Sequence, residues 1–249
     1  IPHNEDFEGL EDYLKFLESI GVDAIIVADM GIFSLAKRVA PGLELHVSTQ
    51  ASTTNWHTVQ MWKELGATRV VAAREVSLAD LKEMKDNVDI EIESFVHGSM
   101  CISYSGRCLL SNYMTGNRDA NRGQCSQSCR WKYSLVESNR PGEYYPIEED
   151  EHGTYIFNSK DLCLIHRIPD LYEAGIDSLK IEGRMKSVHY CATVAKVYRT
   201  AIDTYLKEGK DWYVRPEWIA ELEKISHRPY TDGFAEGRPD ETAQNYGKS

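Results

Sequence analysis

Short apolar runs alternate with amphipathic helical stretches at a near-constant step, and this repeat limits the chain to few folds. Leu10 to Ile20 leads into Asp23-Ala-Ile-Ile-Val-Ala-Asp29, and a helical stretch from Ile32 leads into Leu43-Glu-Leu-His-Val-Ser-Thr49. Trp56 to Leu65 precedes Thr68-Arg-Val-Val-Ala-Ala73, and Leu78 to Lys85 precedes Asp89-Ile-Glu-Ile-Glu-Ser-Phe-Val96. The runs start near residues 23, 44, 68 and 89, at steps of 21, 24 and 21 residues. Strands spaced that way with helices between them read as a parallel sheet with helical crossovers. Gly21, Gly66 and Gly175 fall where helix C-caps belong.

After Val96 the repeat stops until Asp177-Ser-Leu-Lys-Ile-Glu-Gly183, and a long helix follows from Val188 to Lys207. The organisation expected is therefore βα units over 1–96, a cysteine-rich insertion over 97–176, and a last strand, long helix and extension over 177–249. The fold class expected is α/β, a TIM-type parallel (β/α) barrel lacking its first units. Five strands are visible, and closure would take about three further units, about 75 residues. A doubly wound open sheet is the alternative, weakened because the first strand–helix turn carries no Gly-rich phosphate fingerprint.

Five of the six cysteines lie in the insertion, and Cys101, Cys108, Cys125 and Cys129 fall within 29 residues. No run of about 18 apolar residues offers a membrane span, and no basic-then-apolar leader opens the sequence, so a cytoplasmic protein is expected. That compartment keeps thiols reduced, which favours metal binding over disulfides. A thiolate cage suits an iron–sulfur or zinc centre, although the paired Cys-x-x-Cys knuckles of zinc ribbons are missing. Cys191 is expected on the apolar face of its helix, as a small core residue. The net charge of −11 argues against unspecific nucleic-acid binding. Within the insertion, however, Arg107, Arg118, Arg122, Arg130 and Lys132 face the single acid Asp119 between residues 101 and 132.

The stretch Glu93-Ser-Phe-Val-His-Gly-Ser-Met-Cys-Ile-Ser-Tyr-Ser-Gly-Arg-Cys-Leu-Leu-Ser111 resembles the signature of the collagenase-like peptidases, family U32, whose mechanism is unassigned. Asn117-Arg-Asp-Ala-Asn-Arg-Gly-Gln-Cys125, Lys180-Ile-Glu-Gly-Arg-Met-Lys186 and Tyr230 to Gly237 agree with it. The 117–125 run looks most like the branch that makes hydroxyuridine at the tRNA wobble position. That resemblance implies a four-iron four-sulfur cluster on Cys101, Cys108, Cys125 and Cys163, prephenate as oxygen source, and tRNA as partner. A peptidase is the alternative, but the sequence has neither His-Glu-x-x-His nor Gly-x-Ser-x-Gly. A zinc-stabilised scaffold, a protein partner or a homo-oligomer are the remaining readings.

Period-two alternation groups Glu91, Glu93, Phe95 and His97 on one face of their strand, and Lys180 with Glu182 on another. Inward charges need pairing, so a Glu93–Lys180–Glu182 network is expected, with His97 beside it as the catalytic set. Active sites in this fold gather at strand C-terminal ends, where Asp29, Gln50, Arg74, Glu75, His97, Glu182 and Arg184 fall. Arg74, His97 and Arg184 are the charge partners expected for a dicarboxylate, with Gln50 beside them. Arg118 and Arg122 would hold tRNA phosphates while a flipped uridine enters near His97.

Overall fold

The computed structural model describes residues 1–101, 103–131 and 160–237, plus the backbone at 134–135 and 145–146. The elements in chain order are α1 (Leu10–Ser19), β1 (Ala24–Val27), α2 (Met30–Val39), β2 (Glu44–Val47), α3 (Trp56–Leu65), β3 (Arg69–Val71), α4 (Leu78–Asn87) and β4 (Glu91–Ser99). Next come α5 (Leu110–Thr115), β5 (Ser134–Leu135), β6 (Tyr145–Pro146), β7 (Asp161–Cys163) and α6 (Ile168–Glu173). The chain continues with β8 (Ser178–Ile181), α7 (Val188–Glu208), α8 (Pro216–Glu223) and β9 (Tyr230–Thr231). Among the described residues, no helix is long and apolar enough to cross a membrane.

Local chemistry sets the helix starts. Asp29, Asn55, Ser77 and Ser187 each accept the backbone N–H three residues on, so orphan amides of the first turn are satisfied. Gly66 closes α3 at φ +97°, a conformation that L side chains rarely adopt.

Strands β1, β2, β3, β4 and β8 are parallel neighbours in chain order, as the repeat requires. The sheet departs from an all-parallel barrel in two ways. It does not close among the described residues, where β1 pairs only with β2, and β8 only with β4. It is also mixed, because β7 runs antiparallel to the last residues of β4 and β9 extends β7 in parallel. β7 and α6 thus return to the sheet and its core from within the 97–176 stretch.

Helices α1 to α4 cover one part of the sheet over a core of Leu14, Phe33, Leu45, Val47, Val59, Trp62, Val70, Leu81, Met84 and Ile92. A second core gathers Phe95, Val96, Leu162, Ile165, Tyr190, Val194, Tyr198, Trp218 and Leu222 around α7. Cys191 is not part of it. Tyr190 takes the buried position, and the Cys191 thiol is exposed and donates to the Gly183 carbonyl at 3.6 Å.

A bulge in β4 breaks the alternation expected there. Phe95 pairs with Lys180 but His97 with Ile181, so two residues of β4 span one of β8. Glu93 and Phe95 keep company with Lys180, whereas His97 turns to the tyrosines of α7. The single face of Glu91, Glu93, Phe95 and His97 therefore does not form. His97 is 0% exposed, ringed by Tyr190, Tyr198 and Tyr230 at centroid distances of 6.0, 5.5 and 5.3 Å. Neither of its ring nitrogens has a hydrogen-bond partner among the described residues. Burial pulls its pKa from 6.5 to about 4, despite the opposing charge of Asp161, and His227 and Lys186 add to the fall.

A buried carboxylate joins the cysteine segment to the turn after β8 and the stretch before β9. Asp161 is 0% exposed and accepts Arg130 Nη1 at 2.5 Å and the Arg228 backbone N–H at 3.2 Å, with Lys186 Nζ at 3.7 Å.

Two outcomes follow. Replacing Asp161 by Asn should lower unfolding free energy by about 3–5 kcal/mol, because it strands buried cations. Denaturant titration beside Arg130→Ala checks it, and fully additive losses in the double variant would show that the two do not act as a pair. His97 stays neutral in the folded chain but protonates below pH 6.5 when unfolded, so stability is complete above pH 6.5 and drains away towards pH 4. The loss should approach ~3 kcal/mol. His97→Gln should flatten that part of the stability–pH curve, and parallel curves for the two proteins would overturn the assignment.

Candidate functional site

The C-terminal ends of β2, β3, β4 and β8 carry most of the polar side chains singled out in the sequence, and the cysteine segment 101–131 is laid across them. Its first attachment is Ser105. The Ser105 backbone N–H donates to Glu75 Oε1 at 2.6 Å and its hydroxyl to Glu75 Oε2 at 3.1 Å. That hydroxyl accepts the Arg74 N–H at 3.2 Å and Thr49 Oγ1 at 3.4 Å. The next residue, Gly106, has φ +71°, and a Cβ there would sit 2.1 Å from the Gln50 carbonyl oxygen. Only glycine permits so close an approach of two backbones.

Further along, side chains of the strand ends hold carbonyls of the segment. Gln50 Nε2 donates to Ala120 O at 3.1 Å, and Arg184 donates to Gly123 O and, at 3.2 Å, to Cys125 O. Within the segment, Asn121 Nδ2 donates to Cys108 O at 2.8 Å and Arg118 Nη2 to Cys125 O at 3.4 Å. Ser111 is buried and its hydroxyl donates to Arg118 O at 2.7 Å while accepting the Ser126 N–H at 2.9 Å. Arg122 pairs with Asp6 at 2.8 Å.

These ties set Cys101, Cys108, Cys125 and Cys129 within electrostatic reach of one another. Burial is the largest influence raising Cys101, followed by Arg74, which pulls it down, and then by Cys125, Cys108 and Glu182. Burial likewise pushes Cys129 up to about 11, with further upward contributions from Cys101, Cys125 and Cys108 against Arg130. Arg74 Nη1 reaches the Cys101 sulfur at 3.6 Å while its guanidinium lies 3.9 Å above the Phe95 ring. The Gln127 N–H donates to the Cys125 sulfur at 3.3 Å. Cys163 stands apart. It is buried in the second core, raised by burial first, with the Tyr198 hydroxyl 3.9 Å from its sulfur and no cysteine among the groups that act on it. Cys129 is thus the cysteine whose thiol feels the charges of Cys101, Cys108 and Cys125, while Cys163 feels those of its own core.

The donor set suits a soft metal centre, since thiols with N–H donors aimed at sulfur, as at Cys101 and Cys125, are what thiolate-bound clusters use. Among the described residues, no three His, Cys, Asp or Glu side chains are arranged to ligate one ion as they stand.

The catalytic set expected from alternation divides. Glu93 and Lys180 form a pair at 2.5 Å, with Ser178 Oγ on the other carboxylate oxygen at 2.7 Å and Arg69 at 3.4 Å. Burial pushes Glu93 up, but the hydrogen bonds of Lys180 and Ser178 and the charges of Lys180 and Arg69 outweigh it and hold it low. Glu182 gives its backbone N–H to His97 O at 2.8 Å, and its carboxylate acts on Cys101 rather than closing the pair. His97 faces the tyrosine cage, away from the Glu93 pair. Of the basic cluster, Arg107, Arg118 and Arg122 are exposed, Arg130 turns inward to Asp161, and Lys132 lies outside the described residues. Ser105, Asn121 and Asp161 organise the site but were not read from the sequence. The Ser-Gly pair between the first two cysteines was the one available signal, marking a tight backbone contact.

With this geometry in place, comparison with known proteins is informative. The family model described as Peptidase family U32 matches residues 1–245. "tRNA hydroxylation protein P1" of Bacillus subtilis (strain 168) is 52% identical over 246 residues, covering 99% of this chain and 58% of that protein. "tRNA hydroxylation protein P" of Escherichia coli (strain K12) is 40% identical, covering 98% of this chain and 62% of that protein. "23S rRNA 5-hydroxycytidine C2501 synthase" of the same E. coli strain is 35% identical over 96% of this chain and 36% of that protein. The chain thus spans about three-fifths of the length of the two tRNA hydroxylation proteins. A match across nearly every residue, including the cysteine segment and the strand ends that hold it, makes this chain a member of peptidase family U32.

Proposed function

We propose that this chain carries the metal-binding part of an enzyme that hydroxylates a uridine of tRNA, forming wobble 5-hydroxyuridine with a prephenate-like oxygen donor. The observation that carries the reading is the gathering of Cys101, Cys108, Cys125 and Cys129 over the strand ends, on a segment with exposed arginines in a chain of net charge −11. The names of the relatives supply the reaction class. A tRNA substrate would place the protein in the cytoplasm.

The four thiols would hold a four-iron four-sulfur cluster, which supplies one-electron transfer when bound. Burial raises the Cys101 and Cys129 thiols, so a bound cation would help them lose their protons. Arg74, fixed over Phe95, points its guanidinium at Cys101 and is the candidate partner for a donor carboxylate at the mouth. Gln50 and Arg184 act as struts for the segment rather than as free ligands for substrate. Arg118 and Arg122, both exposed, would take tRNA phosphates. The fold reading extends likewise: further units pairing with β1 and β8 would close the barrel, and an apolar groove lined by Val96, Leu179, Ile181, Tyr198 and Ile202 runs beside β8.

Thiol proteolysis draws little support from the same geometry. Cys163 and His97 are register partners across β7 and β4. Burial raises the thiol and lowers the imidazole, the reverse of what a thiolate–imidazolium pair needs.

The test uses full-length protein purified without oxygen. Wild type should be brown and carry iron, Cys129→Ser should lose both, and Cys163→Ser should keep both. The opposite pattern would return the fourth ligand to Cys163, and zinc-loaded colourless wild type would end the redox reading. Cells producing the Cys129→Ser variant should lack hydroxyuridine in tRNA nucleosides measured by mass spectrometry. In binding across a salt series, Arg118→Ala with Arg122→Ala should weaken tRNA affinity and flatten the salt slope by about one per lost phosphate contact. An unchanged slope would free these arginines from RNA docking.

A further inference from the structure

Helix α5 is packed inside out. Its buried residue is Ser111, held by the Arg118 carbonyl and by Ser126, while Tyr113 is 83% exposed and Leu109, at its N-cap, 71%. Tyr104 and Trp131, in the loops on either side, are exposed as well, and Met114 partly so. Apolar and aromatic surface this concentrated, set on a helix that spends its core position on a hydroxyl, marks a binding face. None of these three aromatic rings makes a ring contact among the described residues. α5 packs against the turns Ala120–Arg122 and Ser128–Arg130, which brings Trp131 beside the helix, and Tyr104 lies on the same segment.

The charge around the rings identifies what they face. Arg107 follows Tyr104 in one turn, its N–H bonded to the Tyr104 carbonyl at 3.0 Å. Arg118 lies just past the end of α5, and Arg122 in the turn beside it, all three arginines exposed in a chain of net charge −11. Three exposed guanidinium groups beside the rings make the face complementary to a polyanion. Interleaved aromatic rings and guanidinium groups are what single-stranded nucleic acid requires, with phosphates on the cations and bases on the rings.

We propose that Tyr113, Tyr104 and Trp131 form a stacking platform for unpaired bases of an RNA loop, adjoining the arginines that hold its backbone. This deepens the reading of the chain as a tRNA-modifying protein and rests on it. The platform splays the loop so that a neighbouring base is presented to the strand ends, and it is tolerant of sequence because every base has a π-face. Tyr113, the most exposed ring, is its principal contact.

The test compares variants of the full-length protein by equilibrium binding to a tRNA and to the same tRNA with its anticodon loop closed by a complementary oligonucleotide. Tyr113→Ala should weaken binding to the free tRNA about tenfold with an unchanged salt slope, and should not affect the oligonucleotide-closed form. Tyr113→Trp should restore the affinity, which a general packing role would not allow, and melting temperature confirms that each variant is folded. If wild type binds tRNA and Tyr113→Ala, Tyr104→Ala and Trp131→Ala all bind equally well, the platform is wrong while the RNA reading stands. If wild type binds no tRNA, the reading beneath it fails. Loss of self-association in Tyr113→Ala with unaltered tRNA affinity would assign the face to a protein contact and overturn the proposal.

Discussion

Much of the arrangement hangs on one carboxylate that has no contact with solvent. Asp161 opens β7, and its oxygens are shared by Arg130 from the cysteine segment, Lys186 from the turn after β8 and the backbone of Arg228 ahead of β9. Arg228 closes the ring by donating to Arg130 O at 2.8 Å, and Arg130 donates to Met100 O at 3.3 Å. Taking such an ion out of water costs several kcal/mol, recovered only when its partners are all in place. Three distant stretches of chain must therefore arrive together. Since Cys129 is the neighbour of Arg130 and Cys101 of Met100, the same ring fixes where the thiols begin and end.

The polar side of the sheet and its tyrosine-lined side are kept apart by the bulge of β4. Before it, Glu93 sits with Lys180, Ser178 and Arg69; after it, His97 sits among aromatic rings. One extra residue lets adjacent stretches of a strand serve opposite electrostatic environments, an ionic pair on one side and a neutral imidazole on the other.

How much of this could be read from sequence follows from which forces are local. The parallel strands were legible because hydrophobic periodicity and C-cap glycines such as Gly66 act within a few positions. The return of β7 to β4 was not, because Asp161-Leu-Cys163 is too short for a period and its partner lies more than sixty positions away. The Glu93–Lys180 pair was foreseen from alternation, and His97 was misplaced by the same rule because a bulge carries no residue signature here. Spacing alone does not show that Cys163 lies in the core beside Tyr198 while Cys129 lies on the segment across the strand ends, a property of the folded chain.

Past Ser105, the strand ends hold the cysteine segment by its main chain: Gln50 takes the carbonyl of Ala120, and Arg184 those of Gly123 and Cys125. A clamp that reads peptide oxygens is blind to side chains. Side chains on the outer face of that stretch can consequently be exchanged without loosening the backbone beneath them, so the surface and the scaffold of the segment are separable.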